Sequence, residues 1–176
     1  MPQRKWRLAL ASAAAIAVAA CGADLAGSLT GNSVTGYEAS SAFGPTGHSV
    51  SALGKNRVRV TATGSAATPP ARVEKIALAR AAEYGADAGH KFFKADQPQH
   101  SVRCGKRQTS ERGNIVKLPA KGYAVVDVDV TYASAATDPT FRPTKDTADA
   151  LKAELAGEAV APDTAAKAAV EQQCGI

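Results

Sequence analysis

Tyr123-Ala124-Val125-Val126-Asp127-Val128-Asp129-Val130-Thr131-Tyr132-Ala133 is the clearest period-two stretch of the chain. Successive side chains of a strand point to opposite faces, so Val126, Val128, Val130 and Tyr132 share one side and Val125, Asp127, Asp129 and Thr131 the other. One side is apolar and the other mostly polar, which is the signature of a strand with a single buried face. Residues 56–63 repeat the pattern, with Val58, Val60 and Ala62 against Arg57, Arg59, Thr61 and Thr63. Laid side by side, the two strands set Asp127 and Asp129 opposite Arg57 and Arg59, an ion ladder across the polar face.

Helices are expected between and after these strands. Thr68 followed by Pro69 predicts a helix start, because a threonine hydroxyl can cap free amides and proline in the first turn forfeits no hydrogen bond. Val73, Ile76, Ala77, Ala81 and Tyr84 recur at gaps of three and four and so share a face, and Gly89 marks the stop. A short strand, residues 90–96, carries Phe92 and Phe93 on opposite sides, so one of the two enters the core. Residues 97–121 read as a polar, basic loop. Pro139 and Pro143 close the sheet region, Thr144 or Asp146 caps a helix through Leu151 and Leu155, and Asp163 or Thr164 caps another that runs to near Cys174. This order predicts one α+β domain over residues 56–176, a small, mainly antiparallel sheet covered on one face by helices.

The amino-terminal segment has a different composition. Arg4, Lys5 and Arg7 precede an uncharged apolar run from Leu8 to Ala20, the plan of a secretory signal peptide over residues 1–20. At 13 residues the run is shorter than the roughly 20 that a bilayer-crossing helix needs. Val18-Ala19-Ala20-Cys21 then resembles the lipobox of bacterial lipoproteins. The resemblance implies cleavage before Cys21 and acylation of its thiol, and two or more acyl chains hold a protein at a membrane where one does not. The alternative is an ordinary signal peptide cut near an Ala-x-Ala site. Gly22, in place of the aspartate of the inner-membrane retention signal, directs the expectation to the periplasmic side of the outer membrane, with the inner membrane as the alternative.

Residues 21–55, rich in Gly, Ser and Thr, are expected to form the lipidated cysteine and a flexible tether, with Tyr37 and Phe43 as the side chains that could dock onto the domain. Removing residues 1–20 takes away three positive charges and lowers the net charge from +5 to +2. That excess is too small for the basic footprint of a nucleic-acid binder. Once Cys21 is acylated, two cysteines remain in an oxidising compartment, and Cys104 and Cys174 are expected to pair, two free thiols being the alternative.

Thr35-Gly36-Tyr37, Gly47-His48-Ser49, Asn56-Arg57-Val58-Arg59-Val60, Gly64, Thr68, Val73-Glu74 and Arg80-Ala81-Ala82-Glu83, closing with Gly89 and the aromatic pair, resemble a family of uncharacterised proteobacterial lipoproteins. The resemblance spans about a third of the chain. It implies a lipoprotein with an exposed domain and brings no catalytic residue or cofactor with it.

Candidate chemistry is sparse. His100 and Cys104 could supply two metal ligands if their segment were helical, but nothing nearby completes a set of four. Asp127 and Asp129 could divide acid and base roles, with ion pairing or solvation of the strand face as the plain reading. No nucleophile elbow, phosphate loop or zinc-protease helix occurs. Charge is polarised: residues 91–121 carry a net +6 and residues 122–176 a net −5. Arg103, Lys106, Arg107 and Arg112 are therefore the candidate ligand-binding residues, for an anionic envelope component such as phosphate groups of lipid or peptidoglycan carboxylates. The alternative is mutual neutralisation of basic loop and acidic helices within the fold. The expectation is a non-enzymatic envelope lipoprotein, a binding or structural module without cofactor; a periplasmic enzyme or enzyme inhibitor is the alternative.

Overall fold

The computed structural model describes residues 33–41, 44–105, 108–111, 114–117 and 120–176. The segment 1–20 and Cys21, Phe43, Lys106, Arg107 and Arg112 lie outside the described residues. In chain order the elements are β1 (Gly47–Gly54), β2 (Arg57–Ser65), α1 (Pro70–Asp87), β3 (Phe92–Ala95), β4 (Gln99–Gly105), β5 (Gln108–Glu111), β6 (Asn114–Lys117), β7 (Lys121–Ala133), β8 (Arg142–Pro143), α2 (Thr144–Gly157) and α3 (Thr164–Cys174).

The two alternating strands pair antiparallel and in phase, with Val58 opposite Val130, Val60 opposite Val128 and Ala62 opposite Val126. In-phase pairing gathers their apolar side chains on one face, and Val60, Val128 and Val130 have no exposed surface left. Burying each such side chain contributes roughly 1.5–3 kcal/mol. The sheet runs β1-β2-β7-β3-β8, all antiparallel, and β4 continues the edge that β3 occupies on β7. Helix α1 covers the apolar face through Val73, Ile76 and Ala77, α2 adds Ala148 and Leu155 to the same core, and α3 sets Val170 over Gly122. Phe93 is the buried member of the aromatic pair. The α+β architecture matches the expectation.

Five local readings need correction, one of them the start of α2, where Pro143 is the N-cap without a side-chain bond and neither Thr144 nor Asp146 caps the helix. Residues 47–54 are not tether: they form the edge strand β1, whose His48, Val50 and Ala52 fall opposite Ala62, Val60 and Val58. An edge strand with one thin apolar stripe needs few large side chains, so composition misread it as coil. Residues 33–41 also lie on the domain, and Gly47 (φ 105°) permits their crossing, since a Cβ there would sit 2.7 Å from the Glu38 carbonyl oxygen. Residues 97–121 are not one loop: β4 pairs along β7, and β5 with β6 forms a hairpin. Thr68 does not cap α1. Pro69 is the N-cap, with no side-chain cap bond, and the Thr68 hydroxyl instead accepts the Thr35 amide at 3.0 Å. Asp163 caps α3 as expected, accepting from the amides of Ala165 and Ala166.

Candidate functional site

The helix-free face of the sheet is polar because the alternation of β2 and β7 leaves no other set of side chains there. Arg59 meets Asp129 in a two-pronged pair, Nε to Oδ1 at 2.7 Å and Nη2 to Oδ2 at 3.0 Å. That guanidinium holds the Asp129 carboxyl below its ordinary value. Arg57 adds weaker contacts, 4.0 Å to Asp129 and 3.9 Å to Asp96. Asp127 lies opposite Thr61 and accepts a short hydrogen bond from its hydroxyl. The expected ladder is therefore only half formed: Asp129 meets arginine, whereas Asp127 lies opposite Thr61 and Arg57 opposite Thr131.

A cleft opens where β3 gives way to β4. The Asp96 amide still reaches the Asp129 carbonyl, and pairing with β7 resumes at Gln99 opposite Asp127. The gap leaves an open hollow of about 320 Å³ lined by Arg59, Asp96, Gln97, Gln99, Asp127 and Asp129. Three carboxylates and one guanidinium face it, and no histidine does.

The histidines are placed elsewhere. His48 packs on the Tyr37 ring, His90 stacks on Tyr132 at 5.0 Å, and His100 lies 3.5 Å from Glu74. Strand geometry puts His100 about 13 Å along the chain from Cys104, and Cys104 is bonded to Cys174 with the Cα atoms 5.4 Å apart. The two therefore do not form a metal pair. Among the described residues no group of three or more His, Cys, Asp and Glu is arranged to hold a metal ion. None of the described helices is long and apolar enough to cross a membrane.

Of the four basic candidates, Arg103 is described. It sits on the polar face opposite Tyr123, with Nη2 donating to the Thr63 hydroxyl at 3.1 Å. The acidic residues of the helices do not neutralise it. Glu158 serves Arg72 and Lys75, Asp149 serves Lys145, and Glu171 serves Lys167.

Two polar clusters escaped sequence reasoning, because each joins residues far apart in the chain. In the first, the Ser65 amide donates to Thr35 Oγ1, the Ser65 hydroxyl to the Ser33 carbonyl, and Arg72 Nε to the Thr35 carbonyl. In the second, Glu83 accepts from the Tyr37 hydroxyl at 2.7 Å, Arg80 at 2.7 Å and Lys152 at 2.6 Å. Desolvation raises its pKa, but the three donors outweigh that and hold it at about 2. Burial and the nearby Arg80 hold His48 below its ordinary value. Both clusters fasten residues 33–37 to α1, so they act as structural clasps. The motif Arg80-Ala81-Ala82-Glu83 was visible, but its partners were not.

Compared with family models, with curated proteins and with solved structures, the chain matches none.

Proposed function

We propose that this chain is a lipid-anchored protein of the bacterial envelope, held through acyl chains on Cys21 at the periplasmic face of the outer membrane, with a non-enzymatic binding or structural domain. The observation that carries this reading is the quartet Val18-Ala19-Ala20-Cys21 directly behind a basic and then an apolar segment. The resemblance of residues 35–93 to proteobacterial lipoproteins points the same way. A Cys104–Cys174 bond is in keeping with an oxidising compartment. Gly22 favours the outer membrane over the inner.

The domain offers a wide polar sheet face with an open hollow, a shape suited to contact with another envelope component. The enzyme or inhibitor alternative would have to use that hollow, where Arg59 already occupies Asp129. Fractionating cells that express the chain with Cys21→Ala tests the anchor. The variant should leave the membrane fraction for the soluble or unprocessed pool. A variant that stays processed and membrane-bound would refute the reading.

A further inference from the structure

Helix α3 is joined to the rest of the domain by one covalent bond and few other contacts. We infer that the Cys104–Cys174 disulfide is a redox latch: a dithiol that reduces it releases α3 from the sheet while the rest of the fold stays intact. The device lies within the domain, so the inference does not depend on anchoring through Cys21.

The three described helices are fastened differently. Val73, Ile76 and Ala77 of α1 and Ala148 and Leu155 of α2 share one core. Polar contacts add to it: Lys152 of α2 meets Glu83 of α1, Glu154 meets Lys75, and Glu158, just past α2, takes Arg72 and Lys75. By contrast, α3 buries only Val170 among its 11 residues, and Val170 stands outside the core that α1 and α2 share. Its two charged side chains, Lys167 and Glu171, pair with each other. Among the described residues no side-chain hydrogen bond or ion pair joins α3 to another element. The attachments that remain are the seat of Val170 against Gly122, the Asp163 amide on the Ala67 carbonyl at 2.8 Å, and the bond from Cys174 to Cys104. Isolated helices shorter than roughly 12–15 residues are marginal in water, so α3 persists only while it is docked. The bond turns a weak apolar contact into an intramolecular one at high effective concentration. Residues 159–163 lead into α3 as exposed or half-exposed chain, so α3 can leave without moving α2.

The bond is open to attack, because Cys104 is exposed on β4 and Cys174 is half-buried. One thiolate of the dithiol attacks Cys104 Sγ, and the Cys174 sulfur leaves as a thiolate that takes up a proton. The second thiol then displaces Cys104 from the mixed disulfide. Two electrons and two protons pass to the protein, and the dithiol ends as a cyclic disulfide. Neither the β4–β7 ladder nor the core under α1 and α2 uses the sulfur atoms, so both survive the reaction. Cys174 departs with α3, and Gly122 loses the cover of Val170.

The test uses the full chain with Cys21→Ser, so that Cys104 and Cys174 are its only cysteines. Dithiothreitol is added without denaturant, free thiols are counted by alkylation and mass, and amide hydrogen exchange is followed with and without the reductant. Both thiols should become alkylated. Exchange at residues 167–174 should quicken at least about tenfold, while the amides of α1, β2 and β7 keep their rates within about twofold. Reoxidation should restore the slow rates. Adding Cys104→Ser and Cys174→Ser to the same chain should give fast α3 exchange from the outset and no response to dithiothreitol, which separates release of the helix from other effects of the reductant. A bond that withstands dithiothreitol until urea is added, α3 amides that stay protected after reduction, or an equal loss of protection throughout the domain would each overturn the inference.

Discussion

Glu83 shows how a single side chain ties the amino-terminal segment to the helical layer. Three donors converge on a carboxylate whose side chain is only 23% exposed. Glu83→Gln keeps the shape but removes the charge, and hydrogen bonds to charged groups are each worth about 1.5–3 kcal/mol when well formed. Because Lys152 and Arg80 remain partly solvated, the variant should lose about 1–2 kcal/mol in urea unfolding at neutral pH. The sign with pH follows from the folded value of about 2 against an ordinary 4.5. Between those values the unfolded chain binds more protons, so stability is complete above about 4.5 and is lost as the pH falls toward 2. The gap between wild type and Glu83→Gln should therefore close in acid. A gap independent of pH would show that the charge is not what matters. His48 adds a term of the same sign nearer neutrality: its lowered pKa makes the unfolded state the better proton acceptor, so stability begins to fall as pH drops below 6.5. The Arg59–Asp129 pair is well aligned but half-solvated, so water and salt screen it and it contributes little to stability.

Among the elements, α1 was legible from its spacing and β2 and β7 from their alternation, because each of these patterns follows from burial of one face. The edges were not legible. In β4 the order Gln99-His100-Ser101-Val102-Arg103-Cys104-Gly105 has no consistent apolar face, since its residues stay exposed or half-exposed; only the ladder to β7 defines it as a strand. β1 was hidden because its apolar stripe is thin, and the cleft because a hollow at a break between two edge strands has no local signal. Close approach of elements gives a sharper test. A Cβ at Gly85 of α1 would lie 2.5 Å from Tyr132 Cε1 and 2.8 Å from Thr144 Cγ2. Alanine gains about 1 kcal/mol in helix propensity over glycine, but overpacking costs about 1–3 kcal/mol. The Tyr132 ring cannot easily yield, because its hydroxyl donates to the Ala81 carbonyl at 2.8 Å. Gly85→Ala should therefore lower the thermal midpoint, against the propensity. A raised midpoint would mean that α1 and β7 can move apart freely.

For the whole molecule, one sheet covered by helices on a single face makes a modest core, and the disulfide matters in proportion. A bridge with sequence separation 70 lowers unfolded-chain entropy by an amount worth about 4 kcal/mol in the chain-entropy model. Replacing Cys104 and Cys174 together by alanine should cost about 2–5 kcal/mol in urea unfolding, and a loss under about 1 kcal/mol would make the bridge incidental to stability. The same bond fastens the end of β4 to α3. The proposed anchoring through Cys21 is tested most directly by mass spectrometry of the amino-terminal peptide from protein extracted out of native membranes. The expected species begins at Cys21 and carries a diacylglyceryl group on sulfur; a mature terminus at any other residue, or an unmodified Cys21 thiol, would contradict it.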